Sequence, residues 1–264
     1  MSNNLIWEVI SQGTEDKLVL AVDYSINGRK EAGFGDLAAK LPGSHTVWET
    51  LAPPVGEEDG MTGPQYVSRW VDAVRESGKP VHAVLGYCAS SAFASAIAEG
   101  ISEFQDPPRV VLFDPTPATA WTILLFGFYR AIETLNSALE PQEVMDIQKQ
   151  GWELATKYSD ELDTFREEVV ALYQSVGDTA FVRAGLDGEL GAQLVAWFRG
   201  YVTYLIAAGE FVDAFDLSNT VVVASSSLDD PPGEIAKEFR FDLDHADLLR
   251  SEDVAQALVD ELRG

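Results

Sequence analysis

Short apolar runs alternate with helix-like patterns along the first part of the chain. Leu18–Val22 (LVLAV) is continuously apolar and ends in the turn-rich Asp23–Lys30 (DYSINGRK), the pattern of a buried strand followed by a loop. A helix is expected near Gly35–Lys40, and His45–Leu51 (HTVWETL) alternates as a second strand. Pro53, Pro54, Gly56 and Gly60 then mark an acidic loop. Tyr66, Trp70 and Val74 give Thr62–Ser77 helical spacing, stopped by Gly78 and Pro80. Val81–Gly86 (VHAVLG) reads as the next strand and runs without a break into Cys88 and an Ala-rich helix, Ala89–Ile101. Arg109–Phe113 (RVVLF) is a further buried strand, ending at Asp114. Such alternation predicts an α/β fold whose mostly parallel central sheet carries helices on both faces.

The rhythm breaks after residue 117. Ala118 to about Ala214 reads almost wholly as helix, through Trp121–Leu139, Pro141–Gln174 and Glu189–Ala208. The strand pattern resumes at Asn219–Ala224 and Phe239–Leu243, and an amphipathic helix, Ser251–Leu262, closes the chain behind a Ser251 cap. The expected organisation is therefore a core in two parts, 1–117 and 215–264, interrupted by a helical insertion over 118–214. No internal repeat and no low-complexity tract is visible.

Composition narrows the function classes. The chain has 264 residues and 18 Lys and Arg against 43 Asp and Glu, a formal net charge of −25. A surface so acidic disfavours phosphate backbones and anionic lipid heads, which call for clustered cations. Nucleic-acid and membrane partners are therefore not expected. One cysteine, Cys88, excludes an intrachain disulfide, and three histidines (His45, His82, His245) leave little material for a Cys/His zinc site. No metal or cofactor is called for. Met1–Ile10 lacks the basic and apolar regions of a signal peptide, and Trp121–Tyr129, the longest strongly apolar stretch, is far shorter than the roughly 20 residues of a spanning helix. A cytoplasmic location is expected.

Gly86-Tyr87-Cys88-Ala89-Ser90 lies between a buried strand and a helix. Small residues two before and two after Cys88 permit a tight turn that lifts its side chain above the sheet. The same turn puts the thiol at a helix N-terminus, where the helix dipole favours a thiolate and the N–H of Ala89 would face an oxyanion. A packed, inert thiol is the structural alternative. Asp114 ends the next strand and would stand beside Cys88 at the C-terminal edge of the sheet, or else act as a turn residue before Pro115. His245, in Asp242-Leu243-Asp244-His245-Ala246-Asp247, falls in the loop between the last strand and the last helix, again at that edge, or else is a surface histidine. Nucleophile, acid, histidine is the chain order of an α/β-hydrolase triad. Asp229 or Asp230, in the loop after Asn219–Ala224, are alternative acids; spacing favours Asp114. His82 is read as a packed core histidine below the site and His45 as a capping or surface residue.

Val81–Thr116 together with Asp242–Leu262 resembles the α/β-hydrolases of the thioesterase group that end polyketide and nonribosomal peptide synthesis. The resemblance implies that the helical insertion is a lid. It also implies that Cys88 takes an acyl group from a thioester on a phosphopantetheinyl carrier protein or coenzyme A, with His245 as base and Asp114 orienting it. Release would be by transfer, cyclisation or hydrolysis. Cys88 stands where that family usually has Ser, Ser90 where it has Gly, and Leu243 where its histidine loop has Gly. Tyr24–Gly28 replaces its Gly-rich turn, so Ser25 or Ile26 would supply the second oxyanion N–H. Tyr87, Trp121 and Phe126 are the expected substrate contacts. The Gly-Tyr-Cys run is also similar to dienelactone hydrolases, and a non-catalytic binding protein of the same fold is the rival class. Oligomeric state, acyl chain and acceptor are not set by the sequence.

Overall fold

The apolar runs pair with one another because each is buried on both faces. A computed structural model describes residues 6–15, 17–24, 31–211, 217–228 and 234–263. Within it, Leu18–Val22 (β2), Thr46–Thr50 (β3), Val81–Tyr87 (β4), Arg109–Phe113 (β5), Val221–Ala224 (β6) and Lys237–Arg240 (β7) run parallel. Trp7–Ser11 (β1) joins antiparallel to β3, and the order across the sheet is β1-β3-β2-β4-β5-β6-β7. The predominantly apolar β2, β4, β5 and β6 take the middle, as strands covered on both faces must.

Side-chain alternation sorts the two layers. Ala21, Leu85, Phe113 and Val223 share one buried cluster with Phe34 and Leu37 of Phe34–Ala38 (α1) and Leu258 and Leu262 of Glu252–Arg263 (α9). Gly63–Ser77 (α2) packs on Ser91–Ser102 (α3), and α3 on β4 and β5. Between α2 and α3, Tyr66, Trp70 and Phe93 meet at ring-centroid distances of 5.3–5.6 Å. Thr62 and Gln65 start α2 through a 2.8 Å bond from the Thr62 N–H to Gln65 Oε1, and Gly78 ends it at φ 66°.

By internal contacts the chain forms two units, one of Met1–Ala52, Thr62–Pro117 and Glu210–Gly264, the other of Pro53–Met61 with Ala118–Gly209. The second unit is helical: Ala120–Thr122 (α4), a widened π-type stretch Ile123–Phe128, Tyr129–Glu133 (α5), Pro141–Lys157 (α6), Leu162–Arg183 (α7) and Gly188–Gly209 (α8). Its core includes Phe128, Phe165, Tyr173 and Phe198, with Tyr173 stacked on Phe198 at 4.2 Å. Among the described residues no helix is long and apolar enough to cross a membrane.

The elements differ from the hydrophobic pattern at four places. The edge strand β1, with burial on few positions, carries no strong period and was not expected. The last strand is Lys237–Arg240 rather than Phe239–Leu243, because Val221–Ala224 pairs with Lys237–Arg240 and the Leu243 carbonyl is instead taken by the Ser226 N–H at 2.9 Å. A single 3₁₀ turn, Cys88–Ser90, precedes α3. The long pattern 141–174 is two helices, broken over 158–161.

Candidate active site

Parallel register brings the site together. Tyr87 is the neighbour of Phe113, so Cys88 and Asp114 leave adjacent strands at the same level. Both turn sharply there, with φ 51° at Cys88 and 46° at Asp114. The left-handed region is costly for residues with a Cβ, by about 1–3 kcal/mol, and such positions persist where surrounding structure enforces them. At β4 the enforcement is visible, because a Cβ on Gly86 would stand 2.7 Å from Ala94 Cβ and 2.8 Å from Ser91 Cα. Glycine lets α3 start directly against the strand, and the turn between them lifts Cys88 off the sheet.

Asp114 is fully engaged. Its Oδ1 accepts the Ser225 N–H at 2.7 Å, just past β6, and its Oδ2 accepts from His245 Nδ1 at 2.7 Å. The Asp114 side chain is 3% exposed and that of His245 29%. The Cys88 thiol is partly exposed, and Nε2 of the imidazole is the ring nitrogen that Asp114 does not take. Burial alone would lower the His245 pKa from 6.5, but attraction to Asp114, whose carboxylate accepts from Nδ1, and then to Cys88 overrides it and pushes the ring to about 10. The imidazole is therefore a proton holder at neutral pH.

Tyr87 secures the histidine from the opposite side. Its ring, buried at 4% exposure, stacks on His245 at 4.7 Å and 11°, and its hydroxyl donates to the His245 carbonyl at 3.0 Å. The loop is tied further by the Ala32 N–H bonding the Ala246 carbonyl at 2.9 Å, and by Ser226 on Leu243. Tyr87, expected among the substrate contacts, thus has a ring face occupied by the histidine. Sequence reading did not find the Ser225 N–H, a backbone group with no side-chain signature.

The remaining expected residues fall elsewhere. Ala89 follows Cys88 in the 3₁₀ turn. Ser25, Ile26, Asp229 and Asp230 lie outside the described residues. Trp121 packs edge-on against Trp152 at 4.6 Å, and Phe126 is 50% exposed, both in the helical unit. His82 is partly buried with Nε2 on the Leu262 carbonyl at 2.8 Å, and its ring stacks on His45 at 5.2 Å. Burial and then the neighbouring His82 hold His45 below its ordinary pKa. Among the described residues no group of three or more His, Cys, Asp or Glu is placed to hold a metal ion.

No family model and no curated protein matches the chain. Among solved structures it is similar to the Vlm2 thioesterase domain with genetically encoded 2,3-diaminopropionic acid bound with a dodecadepsipeptide, at TM-score 0.54 and 16% identity over 97% of this chain and 98% of that one. It is also similar to a holo four-domain nonribosomal peptide synthetase bound to AMP and glycine, at TM-score 0.60 and 14% identity over 97% of this chain and 20% of that one. A third is the NocB thioesterase domain in covalent complex with a fluorophosphonate nocardicin G analog, at TM-score 0.50 and 13% identity, covering 98% and 100%. The chain has the α/β-hydrolase fold.

Proposed function

We propose that the protein is a thioesterase-like acyl transferase in which Cys88 carries the acyl group. The observation that supports this most is the 2.7 Å His245–Asp114 bond at the level where Cys88 leaves the neighbouring strand in a strained strand-to-helix turn. As Cys88 attacks, its proton passes to His245. The thiolate attacks the carbonyl carbon of an acyl thioester on a carrier-protein arm or coenzyme A, and a C–S bond forms. The tetrahedral oxyanion is met by the Ala89 N–H. Its collapse breaks the bond to the donor sulfur, which takes the proton from His245. An amine or hydroxyl, including one on the same acyl chain, then attacks the Cys88 thioester and gives its proton to the now neutral His245. Breaking the Cys88 C–S bond frees the sulfur, which takes the proton back from His245.

Cysteine matters to the outcome. Exchange between thioesters is nearly isoenergetic, so the acyl group stays activated on Cys88, whereas an oxygen ester on serine would be less reactive toward amines. In this reading residues 118–214 are the lid, Trp121 and Phe126 contact the acyl chain, Tyr87 holds the His245 loop, and the protein acts in the cytoplasm. Product analysis tests it: acyl-N-acetylcysteamine plus a primary amine should give the amide and free N-acetylcysteamine. Free acid as the sole product would refute transfer.

A further inference from the structure

We propose that Arg240 is a positioning residue for the His245–Asp114 pair, acting through the turn at 225–228 that touches both of its halves. The inference rests on the reading of Cys88, His245 and Asp114 as the reacting set. The Ser225 N–H donates to Asp114 Oδ1 at 2.7 Å. The next residue holds the start of the histidine loop, since the Ser226 N–H and the Ser226 Oγ both donate to the Leu243 carbonyl at 2.9 Å, two positions before His245. The spacing between acid and histidine is therefore set by where the peptides at 225 and 226 lie.

That segment leaves β6 toward solvent. Ser226 and Ser227 are exposed, and the Ser225 hydroxyl is used within the turn, accepting the Ser227 N–H at 3.1 Å. Arg240, the register partner of Ala224 in β7, ties the turn back to the sheet. Its Nη1 donates to the Leu228 carbonyl at 2.9 Å and to the Ser225 carbonyl at 3.4 Å, while its Nε is held by Glu238 Oε1 at 2.7 Å. The Ser225 carbonyl belongs to the same peptide group as the Ser226 N–H. The guanidinium therefore polarises the very group that grips Leu243, as successive hydrogen bonds do. A rigid fork of donors suits two carbonyls and a carboxylate together, which the point charge of a lysine does not. Positioning and plain charge act on His245 with opposite signs. Removing a nearby cation lets the imidazole hold its proton more tightly, whereas slackening its contact with Asp114 loosens that hold.

The test is side-chain nitrogen NMR titration of His245 in Arg240→Gln and Arg240→Lys, with Lys237→Gln as the control for losing a cation from the same strand. The Arg240 side chain is 42% exposed, so its replacement opens no hole in the core. Arg240→Gln should lower the His245 midpoint by at least about one pH unit. Arg240→Lys should recover part of that shift through a single carbonyl contact. Lys237→Gln, whose native side chain pairs with Glu261, should leave the midpoint in place. With an acyl-N-acetylcysteamine substrate, Arg240→Gln should lower kcat at least about tenfold at unchanged KM, as a misplaced reacting group does. An unchanged midpoint in Arg240→Gln, with or without loss of thermal stability, would reduce the residue to a structural tie and overturn the proposal. A raised midpoint would assign the effect to charge and overturn it as well. Should Arg240→Gln not fold, Ser226→Ala removes one of the two bonds to Leu243 and should lower the midpoint by less; no fall there would overturn the proposal. The titration needs no turnover, so a wild type that takes up no acyl group would end the reading of Cys88 and leave this result standing on its own.

Discussion

His245 should hold its proton through neutral pH, and Asp114→Asn should release it earlier. The ring titrates at about 10 instead of 6.5, a displacement worth roughly 5 kcal/mol at about 1.4 kcal/mol per pH unit. Burial opposes that displacement, so the attraction from Asp114 and Cys88 exceeds it. The hydrogen bond to the carboxylate, 2.7 Å from Nδ1, is the largest single cause that raises it. One opposite charge in contact accounts for about 1–3 pH units, so Asp114→Asn should bring the midpoint to roughly 7–9. With three histidines in the chain, side-chain nitrogen NMR resolves the titration, and His45 and His82, stacked on each other, serve as an internal reference. The linked stability has a definite sign. A folded-state pKa above the unfolded 6.5 means the pair stabilises fully below 6.5 and loses that contribution as pH rises through about 10. The stability gap between wild type and Asp114→Asn should therefore narrow across that window in urea titrations. A wild-type midpoint at or below 6.5, or one that Asp114→Asn leaves in place, would refute the reasoning.

Gly86→Ala should cost about 1–3 kcal/mol in urea unfolding, because its methyl group meets the α3 backbone at Ser91; an unchanged midpoint would mean the turn relaxes. Tyr87→Phe removes one hydrogen bond worth about 0.5–1.5 kcal/mol and keeps the stack, so kcat should fall modestly with KM unchanged. Tyr87→Ala should lower kcat further, and a change confined to KM would assign the ring to substrate instead. Cys88→Ser should keep the fold and shift products from amide toward free acid; an unaltered product ratio would remove sulfur from the explanation. Iodoacetamide alkylation of Cys88 near neutral pH should slow at least about tenfold in His245→Ala, which takes away the proton holder.

The central strands and the three polar residues at their ends were legible because each depends on local pattern plus chain order. LVLAV and RVVLF are short, β-branched-rich apolar runs that read as buried strands, and Asp114 and His245 follow strands whose C-terminal ends share one edge. What escaped depends on distant pairing. Tyr87 meets His245 across 158 positions, and no local period signals a ring stack. The Ser225 N–H acts through backbone, which any residue supplies. β1 and β7 lie at the sheet's edges, where exposure erases the apolar signature, and their limits follow from register with β3 and β6. Pro53–Met61 shows only turn residues and acids, yet it carries Glu58 into the helical unit, where Gly200 makes space for it.

Intact mass spectrometry after incubation with a short acyl-N-acetylcysteamine thioester tests the assignment of Cys88 most directly. Wild type should gain the mass of one acyl group, discharged on addition of an amine, and Cys88→Ala should gain none. An acyl adduct of equal yield on Cys88→Ala, or none on wild type while iodoacetamide also fails to label Cys88, would contradict it.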